Sequence, residues 1–155
     1  MIGTQRRMVL GAGAAIVSLL IFHQGMWALL HVSGLPGLTM PAPFPTDPTP
    51  PFGVPVIFSM CFWAGLWGAL FAAIWHGPKS SYWFGGVWLG VVSVLVSFFI
   101  VFPLKGLPFG GGDFATWLRA LLMNGSWGLG MGGLLTGLLG EDGPEAEGQI
   151  RFPLP

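Results

Sequence analysis

Four stretches of the chain are nearly free of charge and long enough to cross a bilayer, and short Pro-, Gly- or charge-bearing segments separate them. A spanning helix needs about 20 mostly apolar residues to cross a hydrocarbon core roughly 30 Å thick. The windows that meet this run from about Met8 to His31, Pro55 to Trp75, Tyr82 to Phe102 and Phe114 to Leu139. The natural turns between them are Gly34 to Val54, His76-Gly77-Pro78-Lys79 and Pro103 to Asp113. No water bonds the backbone inside a bilayer, so each window is expected to be a helix rather than an open strand. The expected fold class is all-α: a polytopic membrane protein with four transmembrane helices in residues 1–140, followed by an acidic cytoplasmic tail over 141–155.

Basic residues orient this bundle. Arg6 and Arg7 precede the first window, the loop after it has no Lys or Arg, and the second loop carries Lys79. The positive-inside rule then puts the N-terminus, and with four spans the C-terminus, in the cytoplasm. Lys105 and Arg119 fall on the other side, so the bias is three basic residues against two. The Arg pair and the apolar Met8–Phe22 also have the outline of a signal peptide, with a loose twin-arginine echo in Thr4 to Leu10. No Ala-x-Ala cleavage site follows, so the segment is expected to remain as a helix.

Composition narrows the chemistry. Hydrophobic residues make up 53% of the chain and charged residues 8%, with six basic and six acidic side chains in balance. Such a chain has no electrostatic footprint for nucleic acid. Cys61 is the single cysteine, which excludes an intrachain disulfide and leaves no Cys/His spacing for a zinc or iron–sulfur site. The windows hold no acidic residue and no Ser/His/Asp set, so a non-enzymatic protein without a metal is expected.

Sorting the polar residues by depth reveals a layer. His23, Gln24, Ser59, Cys61, Ser93, Ser97, Arg119, Asn124 and Ser126 all fall in the half nearer the outer surface. The inner half is almost purely Ala, Gly, Leu and Val, with Ser18 and Thr136 as its polar members. His23, Gln24, Ser97, Arg119 and Asn124 are the candidate site. They serve either as interhelical hydrogen-bond glue at about 0.6 kcal/mol each, or as the wall of a small polar cavity open to the periplasm. Arg119 lies near the interface and can snorkel outward; Asp113 reaches it only if the loop folds over.

Three further patterns suggest ligands or partners. The histidines do not pair in depth for a bis-His haem, but Ala72 stands four residues before His76, with Trp75 and Trp83 beside it, which resembles the Ala-x-x-x-His arrangement of light-harvesting polypeptides. His76 is therefore a candidate chlorin ligand. Trp63 and Trp67 lie near mid-depth on one helix face, either packed on a neighbouring helix or flanking a flat molecule such as a pigment or quinone. Gly128 and Gly132 form one four-residue step on the last window, and Gly133 and Gly137 another, spacing that admits a second backbone, from this chain or from another subunit.

Two loose internal repeats are visible: Gly34-Leu35-Pro36 against Gly106-Leu107-Pro108, and Trp63 to Gly68 against Trp83 to Gly90. The first suggests a two-plus-two parallel duplication. Between Gly34 and Pro55 there are eight prolines interleaved with Met40, Phe44 and Phe52. This density predicts a stiff, apolar segment, neither helix nor sheet, lying across the outer face of the bundle or against a partner.

The stretch Phe22-His23-Gln24-Gly25-Met26-Trp27 through His31, with Pro41-Ala42-Pro43-Phe44-Pro45-Thr46 and Pro51-Phe52-Gly53-Val54-Pro55, resembles a group of uncharacterised small four-helix inner-membrane proteins of proteobacteria. The resemblance covers about the first half of the chain, implies a multi-pass protein of the bacterial inner (cytoplasmic) membrane, and assigns no activity. Three functions fit the pattern. The first is a non-catalytic accessory or stabilising subunit of a larger membrane complex, respiratory or photosynthetic, with other membrane subunits and lipid as partners. The second is a small-solute channel or carrier entered through the polar layer, and the third is a pigment- or quinone-binding subunit.

Overall fold

A computed structural model describes residues 3–78 and 80–139; Lys79 and the acidic tail expected over 141–155 lie outside the described residues. The chain is mostly helical. Helix α1 spans Thr4–Val32, α2 Val56–Ile74, α3 Ser81–Leu104 and α4 Phe114–Leu139. Helices α1 and α3 each contain one π-helical turn, Leu19–His23 and Ser97–Val101. Among the described residues, α1, α2 and α3 are long and apolar enough to cross a membrane.

Helix α4 has the length but is less apolar, because Arg119, Asn124, Ser126 and several glycines interrupt its aliphatic run. Its position explains the difference. It packs on both α1 and α3, and its Met131 and Leu135 are fully buried. A helix that faces protein on two sides needs fewer lipophilic side chains than one that faces lipid.

Glycine and alanine set the helix pairs. On α1 and α2, Gly11 and Gly68 face each other so closely that a Cβ on either would strike the other's carbonyl oxygen, and Ala15 and Ala72 flank them. On α3 and α4, Gly86 meets Gly128, Gly90 meets the Asn124 backbone, and Gly132 meets the Tyr82 carbonyl. Without a hydrophobic force between helices in lipid, this close backbone approach is what gives van der Waals contact. The two hairpins are then joined by α1 against α4: Ser18 Oγ donates to the Trp127 carbonyl at 2.6 Å, and Trp127 Nε1 donates to the Ala15 carbonyl at 2.9 Å. Helices α2 and α3 form no such seam. Their contact is confined to the turn that links them, where the Phe71 and Tyr82 rings lie 6.3 Å apart.

At that same end Arg7 is buried, which the reading of an apolar inner half missed. Its Nε donates to the Ala72 carbonyl at 3.0 Å, and its Nη2 donates to the Trp75 carbonyl at 2.6 Å and to the Tyr82 hydroxyl at 2.8 Å. The last carbonyls of a helix have no intrahelical partner and carry the negative end of its dipole. Arg7 therefore caps α2 and ties α1, α2 and α3 together.

The opposite, proline-rich end is built by capping. The segment between α1 and α2, expected to be neither helix nor sheet, instead closes with a minimal antiparallel pair, Pro48–Thr49 (β1) with Val54–Pro55 (β2), around a turn that holds a cis Pro50–Pro51 peptide. It folds back on the bundle. Carbonyls of Pro45 and Asp47 accept from the Ile57 and Val56 amides, satisfying first-turn donors of α2. Trp27 Nε1 donates to the Pro41 carbonyl at 2.8 Å, and His31 Nδ1 lies 2.8 Å from the Met40 carbonyl. Helix α3 ends in a Schellman turn: Gly106 adopts φ 70°, the Leu107 amide donates to the Phe102 carbonyl, and Pro108 follows.

Asp113 starts α4. Its Oδ1 accepts from the Thr116 amide at 3.0 Å and its Oδ2 from the Thr116 hydroxyl at 2.9 Å. The Thr116 amide, then its hydroxyl, hold the Asp113 carboxyl below the usual carboxylate range. A depressed folded-state pKa gives stability that is present above the unfolded value and is lost as pH falls through the folded one. Asp113→Ala is thus expected to lower the unfolding temperature at neutral pH and to differ little from the parent at acid pH, as read by thermal unfolding in detergent at both.

Candidate functional site

Because α2 and α3 diverge from their shared turn, a cleft of about 710 Å³ opens between them, with α1 and α4 as its floor. The flank from α2 is a stripe at four-residue spacing, Ser59, Trp63 and Trp67, with Leu66 and Leu70 beside it. The flank from α3 is a matching stripe, Ser93, Ser97 and Val101. Leu19 and His23 line the floor from α1, Asn124 and Trp127 from α4, and Thr49 and Lys105 stand at the proline-rich end. Trp63 is 58% exposed and Leu70 51%, so the cleft opens sideways between the two helices as well as toward that end.

Both π-helical turns border this space. Leu19 and His23 are the first and last residues of one, Ser97 and Val101 of the other, and all four line the cleft. Such turns are rare and occur frequently at functional sites, where the extra residue re-aims side chains.

The chemistry of the lining is one-sided. Ser93 Oγ donates to the Gly90 carbonyl at 2.7 Å and lies 3.1 Å from Asn124 Oδ1, while Asn124 Nδ2 donates to the Ala120 carbonyl at 3.0 Å. Among the described residues, the hydroxyls of Ser59 and Ser97 and the indole N–H groups of Trp63 and Trp67 make no hydrogen bond within the protein, and no carboxylate lines the cleft. No group of three or more His, Cys, Asp or Glu among the described residues could hold a metal ion. What remains is two indole N–H donors and two hydroxyls, which donate or accept, set in an aromatic and aliphatic wall. It suits an apolar molecule with oxygen acceptors.

Of the residues expected to form the polar layer, the structure brings His23, Ser97 and Asn124 to the cleft. Gln24 is fully buried beside His23 and turns away from the cleft, where its Oε1 accepts from the Phe44 amide at 2.7 Å. Phe44 has φ 56°, a conformation uncommon for a non-glycine residue, so this bond holds a strained point of the proline-rich segment. Gln24→Leu leaves that amide without its acceptor and is expected to cost about 1–3 kcal/mol. Faster proteolysis of the 35–55 segment and a lower unfolding temperature are the readouts.

Arg119 is away from the cleft. Its Nη2 donates to Thr116 Oγ1 at 3.0 Å, so it meets Asp113 through the shared Thr116 one turn into the helix, not by a folded-over loop. His76 lies beyond the end of α2, exposed, with its Nδ1 3.1 Å from the Ile74 carbonyl. Ala72, the small residue expected to give a pigment clearance there, is instead buried against Gly11. Gly128 and Gly132 serve α3 within the chain, Gly133 lies under the Trp83 ring, and Gly137 faces open space.

No known protein family, no curated protein and no solved structure matches the chain. Its function is therefore read from the cleft.

Proposed function

We propose that the protein is a four-span, N-in/C-in protein of the bacterial inner membrane, and that it acts as a non-catalytic subunit of a larger assembly, respiratory or photosynthetic in type. Its task there is to hold a lipid-phase molecule of the pigment or quinone kind. The observation that carries this reading is the lateral cleft between α2 and α3, with its aromatic flank and unpaired donors. A volume of about 710 Å³ lies inside the range, roughly 300–1,000 Å³, of sites for small organic ligands. The 26 residues of α4 support the fourth span, since at about 1.5 Å per residue they exceed the hydrocarbon thickness. Arg6 and Arg7 near the start of α1 support the cytoplasmic N-terminus.

The test is isolation from native membranes in mild detergent, followed by organic extraction of the washed protein. Copurifying membrane subunits and one extracted lipid-phase molecule per chain are expected. A free monomer that yields only bulk phospholipid, or that moves a solute in liposomes, contradicts the proposal.

A further inference from the structure

The two helical hairpins share one pattern of glycine contacts. One offset in the sequence carries Gly11, Ala15 and Ser18 of α1 to Gly86, Gly90 and Ser93 of α3. A second offset carries Gly65-Leu66-Trp67-Gly68 of α2 to Gly125-Ser126-Trp127-Gly128 of α4, and Ala72 to Gly132. The packing follows the same map. Gly11 sits between Gly68 and Ala72, and Gly86 sits between Gly128 and Gly132; Gly68 in turn meets Gly11 and Ala15, and Gly128 meets Gly86 and Gly90. Each first helix also contains a π-helical turn and is followed by a Gly-Leu-Pro whose glycine has positive φ, Gly34 at 63° and Gly106 at 70°, the second π-turn starting three residues later and the second Gly-Leu-Pro three residues earlier than the glycine map places them. The repeat partner of the Trp63–Gly68 stretch is therefore in α4, not at the start of α3.

Two equivalent hairpins make two equivalent seams, α1 with α4 and α3 with α2. The first is closed. Trp127 Nε1 reaches across it to the Ala15 carbonyl, and Ser18 Oγ reaches back to the Trp127 carbonyl. In the second seam the counterparts are Trp67, Gly90 and Ser93. The Ser93 hydroxyl is engaged with the Gly90 carbonyl and Asn124 Oδ1 rather than with α2, and Asn124 stands where the other hairpin has Ala64. The Trp67 indole, half-buried, donates to no acceptor among the described residues and lines the cleft instead.

We infer that the chain is a tandem duplication of one helical hairpin whose second seam is held open, and that this open seam binds a hydrogen-bond-accepting amphiphile of the lipid phase, the ligand's oxygen taking at Trp67 the place that the Ala15 carbonyl takes at Trp127. This rests on the cleft being a ligand site, as proposed above, and adds the class of ligand and the donor that selects it. Ser59 and Ser97 are further donors within the cleft, and Trp63, Leu66 and Leu70 accept the tail.

The experiment uses the full chain in detergent micelles and two probes: a 1,4-benzoquinone bearing a decyl tail, and decylbenzene, which has the tail but no acceptor. Binding is read as the rise in unfolding temperature on titration. The quinone is expected to bind more tightly than decylbenzene. Trp67→Phe is expected to weaken quinone binding by about 10-fold, the scale of one hydrogen bond, and to leave decylbenzene binding unchanged, which also shows that the variant folds. Equal binding of the quinone to the parent and to Trp67→Phe overturns the assignment of Trp67 while leaving the cleft reading in place. Binding of neither probe to the parent overturns the cleft reading itself.

Discussion

Gly128→Leu is expected to break the α3–α4 hairpin. A Cβ at this position meets the carbonyl oxygen of Gly86 and the amide of Gly90, which are backbone atoms and cannot swing aside as a side chain can. Overpacking of a well-fitted seam costs about 1–3 kcal/mol and occasionally more, and here two helix axes have to separate, so a loss of about 3 kcal/mol is expected. Gly137→Leu is the control. A Cβ there meets nothing within 4 Å, and its effect on folding is expected to stay within about 0.5 kcal/mol. Reversible unfolding in mixed micelles separates the two, and equal losses contradict intrachain packing as the role of Gly128.

Arg7→Ala is expected to cost about 3 kcal/mol as well, because it removes hydrogen bonds from a charged donor to Ala72, Trp75 and Tyr82 and leaves the end of α2 uncapped. Neighbouring Arg6 is exposed, and Arg6→Ala is expected to leave stability unchanged. Arg7→Lys separates two roles of the same residue. It keeps the positive charge at the start of α1, but a single ammonium does not reproduce the fork that serves two carbonyls and a hydroxyl. Topology reporters are expected to read the same for Arg7→Lys and the parent, while the unfolding temperature falls. Full stability in Arg7→Lys contradicts the capping role.

The contrast between Arg6 and Arg7 shows where the sequence is legible. Hydropathy marks apolar runs, and a run long enough to span must be helical, so the helices could be read directly. Charge near a run marks its end but not its partner, so two adjacent arginines look alike until the chain folds one of them onto the end of α2. The glycines behave the same way. Their spacing on α4 announces a close backbone, yet only the partner positions Gly86 and Tyr82 show that the backbone belongs to α3.

The cleft was half visible. Depth alone gathers His23, Ser97 and Asn124, because depth follows from position along a helix. Rotation about the helix axis decides which of the layer's members face one space, and it sends Gln24 toward Phe44 and Arg119 toward Thr116. Trp63 and Trp67, which the sequence places on one helix face near mid-depth, do line the cleft, and Ser59 one turn earlier extends their stripe, since residues at four-residue spacing share one face. That this face lacks a partner helix is a fact of packing. The sequence carries it only through the resemblance of Gly65–Gly68 to Gly125–Gly128, which makes one seam the counterpart of the other.

The central claim, that the open seam between α2 and α3 holds a lipid-phase molecule, is tested most directly by the mass of the intact protein released from native membranes under non-denaturing conditions. The account predicts one adduct of a single mass per chain for the parent and its loss in Ser97→Trp, which fills the cleft from α3. An adduct of the same mass on parent and variant alike, or none on the parent, contradicts it.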